Sequence, residues 1–225
     1  EKASYLGFGE GLTIYDSGLK ELPSNFSQLN KLRVLSLFGN EFDKIHEEIY
    51  KIPALRVLNL GRNNLTEISD KIAQLTSLEV LDFSCNQLET LPDVFESLPS
   101  LTRIYFYENQ INGLPPSFTT LKNLEILNIG WNKLESLPEN IGDLTELKKI
   151  FIYSNGISNL PASFGNLRKL NYIDFSTNLL EKIPETITTL TNMEYLDLSI
   201  NKLVTLPNSI CDLVLLKHLD LSANK

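Results

Sequence analysis

The sequence repeats every 23 residues, and this feature limits the possible fold more than any other. Nine asparagines have that spacing without one insertion, and Ser17 occupies the tenth place: Asn40, Asn63, Asn86, Asn109, Asn132, Asn155, Asn178, Asn201 and Asn224. Each lies in the frame LxxLxLxxNxLxxLPxxIxxL, complete in residues 124–144. A fixed period of about 20 to 50 residues indicates stacked units of one supersecondary structure. We call each 23-residue unit a coil.

The spacing within a coil predicts a short strand followed by a turn. Leu127 and Ile129 are two residues apart and point to one side of a strand, whereas Asn128 points to the other side. Ile141 and Leu144 follow a proline and suit a helical or 3₁₀ turn. One coil has no core of its own, so its apolar side chains must be buried against the neighbouring coils.

The recurring asparagine has a structural explanation. It lies where the chain leaves the strand, and its short amide offers donors and an acceptor to backbone groups that a tight bend leaves unpaired. We therefore expect the asparagines to be buried and fully hydrogen-bonded.

These residues resemble the leucine-rich-repeat proteins. The 23-residue frame is similar to the subclass of Ras-suppressor, Scribble and Erbin-type scaffolds, plant intracellular Ras-group proteins and many bacterial proteins, over residues 9–225. The resemblance implies an α/β repeat fold, a right-handed solenoid with a concave parallel β-sheet and short helical or 3₁₀ turns on the convex side. We expect residues 1–225 to form one such domain of about ten coils.

Both ends of the sequence suggest a chain cut from a longer array or a multidomain protein. Ala3 and Leu6 are in register with Phe26 and Leu29, as if an earlier coil ended there, and the sequence stops one residue after Asn224. End coils normally need a polar cap. Dimerisation through the last coil is the alternative.

Charge and composition exclude several classes of function. The 28 acidic and 20 basic residues give a net charge of −8, which argues against nucleic-acid binding, since such binding neutralises phosphates. No apolar run approaches the ~20 residues of a membrane span, so membrane insertion is not expected. Cys85 and Cys211 are more than five coils apart, too far for a disulfide. The cysteine-rich caps of secreted animal relatives are missing, which favours a cytoplasmic or bacterial protein and leaves the compartment open.

The sequence gives no evidence of a catalytic site. The two histidines, His46 and His218, have no second ligand at metal spacing. The glycine-rich residues 7–11 lead into a strand rather than a helix and so lack the dipoles that hold phosphate. We predict a protein that is not an enzyme and has no cofactor or metal.

The positions that the frame leaves free form two outward-pointing rows along the concave face. The first row is Thr13, Ser36, Asn59, Asp82, Tyr105, Asn128, Phe151, Asp174, Asp197 and Asp220. The second row is Tyr15, Phe38, Gly61, Ser84, Tyr107, Gly130, Tyr153, Ser176, Ser199 and Ser222. Aromatic residues from both rows, with the single tryptophan, meet in three consecutive coils.

This aromatic cluster is the predicted partner-binding site. Its candidate residues are Arg103, Tyr105, Tyr107, Glu108, Asn128, Trp131, Lys149, Phe151, Tyr153 and Tyr172. Serine and aspartate fill the same places in other coils, so the fold does not require aromatics, and Tyr, Trp and Arg dominate binding hot spots. We expect Gly130 to leave a notch between Tyr107 and Tyr153. The alternative is that these aromatics only stack along the sheet as cross-strand pairs.

Two further groups of charged residues lie outside the aromatic cluster. Asp174, Asp197 and Asp220 form an acidic row that could meet a basic partner or a cation, although strands of this family commonly carry aspartate there. Convex charges such as Glu47 and Glu48 are interpreted as a solvated surface.

The function predicted from these features is a non-enzymatic binding module or scaffold that recognises a protein or an extended peptide on its concave face. One alternative is the sensor or substrate-recognition arm of a larger enzyme, such as a ubiquitin ligase, kinase, cyclase or GTPase. Another is a bacterial surface or secreted adhesin.

Overall fold

A computed structural model describes the protein from residue 10 to residue 225, and within that range each coil contributes one three-residue strand. The strands are Gly11–Thr13 (β1), Val34–Ser36 (β2), Val57–Asn59 (β3), Val80–Asp82 (β4), Arg103–Tyr105 (β5), Ile126–Asn128 (β6), Lys149–Phe151 (β7), Tyr172–Asp174 (β8), Tyr195–Asp197 (β9) and His218–Asp220 (β10). They form one parallel sheet in chain order. The expected partial coil at Ala3 and Leu6 lies outside the described residues.

The register of the sheet follows the sequence period. Neighbouring strands pair residues that are 23 apart, so that Arg103 lies beside Ile126 and Tyr105 beside Asn128. The central residue of each strand points into the solenoid, and Leu127 is completely buried. A fixed spacing in the sequence therefore becomes a row of neighbours on the sheet.

The segments opposite the sheet are short 3₁₀ helices. Those in the described part of the chain are Phe26–Gln28, Ile49–Lys51, Asp70–Gln74, Phe95–Ser97, Pro116–Thr120, Ile141–Asp143, Ala162–Asn166, Glu185–Thr189 and Asn208–Asp212. Prolines such as Pro161 and Pro184 directly precede several of them, because the fixed proline φ suits the first turn. Between residues 10 and 225, no helix has the length and apolar character needed to cross a membrane.

One continuous hydrophobic core runs through the solenoid. Most leucines and isoleucines of the frame are buried, and Ile141 and Leu144 are completely so, whereas Leu216, Leu219 and Leu221 of the last coil are partly exposed. Phenylalanines reinforce the contacts between coils: the rings of Phe95 and Phe118 lie 5.0 Å apart. The core is shared between neighbours, as expected for units that cannot fold alone.

The asparagine ladder has the predicted hydrogen bonds. Asn109 Oδ1 accepts from the Leu88 backbone N–H at 3.0 Å, and its Nδ2 donates to the carbonyls of Phe83 and Phe106, both at 3.0 Å. Asn63 and Asn178 repeat this pattern in buried positions, whereas Asn109 is partly buried. Each amide thus ties the bend of its own coil to the preceding coil.

One residue per coil adopts a left-handed conformation just beyond the strand. These rim residues, with φ between 45° and 70°, are Asp16, Gly39, Arg62, Cys85, Glu108, Trp131, Ser154, Thr177, Ile200 and Ala223. Among these rim residues, only the position of Gly39 requires glycine for space, because a side chain there would collide with the Asp16 carboxylate. The bend places Glu108 and Trp131 along one rim of the concave face.

Candidate functional site

The predicted site residues come from four neighbouring coils. Strands β5 to β8 supply those nearest the middle of the sheet: Arg103, Tyr105, Asn128, Lys149, Phe151 and Tyr172. The residues just beyond the strands are Tyr107, Glu108, Trp131 and Tyr153. None of the ten is classed with the buried core, so the structure places all of them on the concave side or its rim.

Gly130 does not leave the notch that its sequence position suggests, and that expectation is wrong. The ring of Tyr153 lies directly on Gly130, where an added Cβ would come within 2.6 Å of two ring carbons. Because Gly130 has no side chain, the ring of Tyr153 from the next coil packs on the Gly130 backbone. Burial, followed by the charge of Asp174, raises the pKa of Tyr153, so its hydroxyl stays protonated at neutral pH.

Cys85 lies between Tyr107 and Glu108, an arrangement that the sequence analysis missed. The Cys85 thiol donates to Glu108 Oε2 at 3.2 Å, and the Tyr107 hydroxyl faces Cys85 on its other side. Burial first, and then Glu108, raise the pKa of Cys85 to about 11, and burial raises that of Tyr107 to about 12. The Cys85 thiol and the Tyr107 hydroxyl therefore both stay protonated at neutral pH. The 23-residue step from Cys85 to Glu108 could have identified this pair.

Trp131 is the most exposed aromatic side chain of the predicted site. It occupies a rim position with φ 52° and has 62% of its surface exposed. Its equivalent in a later coil, Ile200, has the same backbone conformation and is 53% exposed. The rim thus holds both large apolar side chains in solvent on the same backbone conformation.

A second aromatic feature runs along the first position of the last strands. The rings of Tyr172 and Tyr195 are parallel at 4.2 Å, and those of Tyr195 and His218 lie 4.3 Å apart. Phe151 continues this aromatic stack at 4.8 Å from Tyr172, and Lys149 Nζ lies 5.9 Å from the Tyr172 ring centre. Tyr195 and His218 were missed because the first strand position was followed only from Arg103 to Tyr172 and not to the end of the sheet.

The aromatic stack gives partial support to cross-strand stacking, the structural alternative to a binding site. Phe151 and Tyr172, two of the predicted site residues, contact each other as sheet neighbours. Tyr105 also has a packing role, since it lies against the buried valines Val57 and Val80. Among the aromatic residues of the predicted site, only Trp131 is exposed, and the other exposed residues of the site are the charged Arg103, Glu108 and Lys149.

The acidic row continues next to the aromatic stack. Asp174, Asp197 and Asp220 lie side by side on β8, β9 and β10. Each accepts a hydrogen bond at Oδ1 from the backbone N–H of the serine two residues later, at 2.8 to 3.0 Å. Burial raises the pKa of Asp174 and the charge of Asp197 adds to the rise, whereas the hydrogen bonds from Ser176 partly oppose it.

Neither histidine lies in a metal site. Among residues 10–225, no group of three or more histidine, cysteine or acidic side chains could hold a metal ion. His218 belongs to the aromatic stack, and His46 Nδ1 accepts the Glu48 backbone N–H at 3.3 Å.

Family models match the sequence along most of its length. The model described as a leucine-rich repeat region covers residues 11–133, which is more than half of the 225 residues. Two further leucine-rich-repeat models match residues 123–144 and 178–225. No curated protein matches the sequence.

Solved structures with a similar fold cover nearly all of the chain. A leucine-rich-repeat protein of Leptospira interrogans is 30% identical over 95% of this chain, with a TM-score of 0.78. A TDR receptor is 30% identical over 96%, with a TM-score of 0.87. The plant peptide hormone receptor RGFR1, in complex with RGF2, is 24% identical over 96%, with a TM-score of 0.84, and this likeness shows the fold alone. The chain spans 60%, 39% and 36% of these three proteins, in each case less than two thirds.

Proposed function

The chain belongs to the leucine-rich-repeat family, and from this premise we propose that it is a non-enzymatic binding module or scaffold that recognises a protein or peptide on its concave face. Such domains commonly bind proteins. We place the anchor of the interaction at Tyr107, Trp131 and Tyr153, which we call the rim anchor.

The observation that carries this proposal is the exposure of Trp131 beside two restrained tyrosines. Tyr153 is packed against Gly130, and Tyr107 is partly buried, so both rings have already lost part of their freedom before a partner binds. Rigid aromatic side chains at a solvent boundary are typical hot-spot residues, because their contact area is large and their ordering cost is small.

The other coils support a functional rather than a structural role for the rim anchor. The position of Trp131 is occupied by Ser154, Thr177 and Ala223 elsewhere, with the same backbone conformation. The fold is thus built equally well without a tryptophan. A tryptophan that the fold does not need is suited to contact another molecule, since tryptophan is enriched among binding hot spots.

Similar structures support the same class of function. A TDR receptor shares the fold at 30% identity, and RGFR1, whose structure is that of a complex with RGF2, shares it at lower identity. The likeness to a receptor at 30% identity favours a recognition role, and the likeness to RGFR1 supports the fold on which that role rests.

Differential capture tests the proposal. The parent, the Tyr107→Ala/Trp131→Ala/Tyr153→Ala variant and the control Ile200→Ala would each be immobilised and exposed to the same cell extract, after circular dichroism has confirmed equal folding. We expect at least one protein to be retained by the parent and the control but lost from the triple variant. Identical sets of captured proteins would refute the rim anchor.

A further inference from the structure

We infer that the concave face of β8 to β10 binds an extended, arginine-bearing segment of a protein partner, with Asp174, Asp197 and Asp220 pairing its guanidinium groups beside the aromatic stack. The inference rests on the proposed function, because it specifies the chemistry of a partner on the same concave face. It concerns coils that the rim anchor does not include.

The first argument is the alignment of three carboxylates in one row. Strand register puts them in one row at the ~4.8 Å spacing of neighbouring strands, and like charges directly opposite each other destabilise a sheet. In the part of the chain that the structure describes, no lysine or arginine forms an ion pair with them. The nearby Lys217 pairs with Glu194 instead, at 2.7 Å.

The second argument is that the fold does not need these charges. Asn59 and Asn128 occupy the same position in earlier coils, and their Oδ1 atoms accept the backbone N–H of Gly61 at 2.8 Å and Gly130 at 3.2 Å. An amide therefore makes the turn-bracing hydrogen bond that Asp197 makes to the Ser199 N–H. Three adjacent carboxylates add only charge to this structural role.

The free oxygen of each carboxylate supplies the acceptor. In Asp174 and Asp197, both the serine N–H and the serine hydroxyl bond to Oδ1. In Asp220, the Ser222 N–H also bonds to Oδ1. The serines hold each carboxylate in a fixed orientation, and within residues 10–225 no hydrogen bond is made by the Oδ2 atoms. A guanidinium fork has the planar geometry to bind such oxygens.

The aromatic stack explains why the partner group is arginine. Tyr172, Tyr195 and His218 each precede one of the aspartates by two residues on the same face, ~7 Å along the strand. The apolar stem of an arginine can lie along these rings while its head reaches the carboxylates. The row of three carboxylates is ~10 Å long, because neighbouring strands are ~4.8 Å apart. Alternate side chains of an extended peptide are ~7 Å apart, so two arginines can reach along this row.

The test uses a fluorescein-labelled peptide of alternating arginine and serine, with a peptide of alternating glutamate and serine as the reference. Fluorescence anisotropy would compare the parent with the Asp174→Asn/Asp197→Asn/Asp220→Asn variant. The matched control is Asp82→Asn, because Asp82 makes the same contact with Ser84 but lies between Asn59 and Tyr105 rather than other acids. We expect the arginine peptide to bind the parent and the control, and to bind the triple variant at least tenfold more weakly.

Several outcomes would overturn the inference. These are equal affinity of the arginine peptide for parent and triple variant, an equal loss with Asp82→Asn, or no binding to the parent at all. Saturable calcium binding by the parent without peptide binding would assign the row to a cation and also overturn it. A lower thermal midpoint of the triple variant would refute the argument that the charges are unnecessary for folding.

The two proposals fail separately. Trp131→Gly should leave the affinity for the arginine peptide unchanged, because Trp131 lies two coils before β8. If Trp131→Gly abolishes protein capture and the arginine peptide does not bind, the rim anchor stands and the arginine site does not. If the arginine peptide binds but protein capture is unaffected by changes at Trp131, the arginine site stands and the rim anchor does not.

Discussion

The ring of Tyr153 lies on the backbone of Gly130, and a single added carbon at Gly130 would come within 2.6 Å of two of its atoms. This contact joins two neighbouring coils on the concave face of the solenoid, at a position where the repeat frame does not specify the residue type. It also decides the shape of the candidate site, because the space that glycine leaves is filled by a ring.

Gly130→Ala should therefore destabilise the protein by about 1–3 kcal/mol, the usual range for overpacking, because the Tyr153 ring must move. Chemical denaturation would measure the loss. Gly113→Ala is the matched control, since an added Cβ there meets nothing within 4 Å. In a Tyr153→Ala background the same change at Gly130 should cost little, and an undiminished cost there would contradict the explanation.

Trp131→Gly should separate binding from folding. Glycine adopts the φ of 52° without strain, which stabilises the folded state. It also raises the entropy of the unfolded chain, which destabilises the folded state, and each effect on the free energy of unfolding is about 1 kcal/mol. We expect an unchanged melting temperature and a partner affinity reduced by at least ~1–2 kcal/mol, measured by calorimetry with a captured partner. Ile200→Gly, at φ 53°, should change neither quantity. Full affinity of the tryptophan variant would exclude Trp131 from the interface.

Asn109→Leu should cost about 1–3 kcal/mol, because the change leaves the Leu88 N–H without its acceptor. The Phe83 and Phe106 carbonyls lose one donor each but still accept from Asn86 and Asn132. Urea denaturation gives the loss, and hydrogen exchange gives its location, since the Leu88 amide should lose protection first. Asn112→Leu, at an exposed position of the same coil, is the control. An unchanged exchange rate at Leu88 would argue against the bracing role of the asparagine.

Glu48 should make stability depend on pH in acid. Hydrogen bonds from Lys51 and then Ser27 lower its pKa from 4.5 to about 2. A carboxyl with a lower pKa in the folded state stabilises that state fully above pH 4.5 and loses the effect as the pH falls towards 2. Glu48→Gln should therefore lower the melting temperature at pH 7, and its difference from the parent should shrink between pH 4.5 and 2.

The control for this pH dependence is Glu47→Gln. Glu47 pairs with Lys71 in solvent, and such exposed pairs contribute little. A constant difference between Glu48→Gln and the parent at all pH values would show that the loss comes from packing and not from charge.

The 23-residue period was sufficient to predict every neighbour relation in the sheet. Tyr105 beside Asn128 follows from counting, because no coil contains an insertion and each strand therefore meets the next at the same residue. The core positions and the asparagine contacts follow for the same reason. What is periodic in the sequence is periodic in space.

Features that depend on side-chain conformation could not be predicted in this way. The position of the Tyr153 ring depends on the space above Gly130, which no spacing describes. Glu48 was interpreted as solvated from its convex position, yet it is only 8% exposed, because Ser27 and Lys51 close around it. Tyr195 could have been found by extending the count to the first position of each strand.

The left-handed rim has a consequence for how this surface can change over time. Glu108, Trp131 and Ile200 differ in charge, size and polarity, yet the chain follows the same path through all three. New side chains can thus be tried at one coil without disturbing the next, so ligand preference can drift by single substitutions while the architecture is inherited intact.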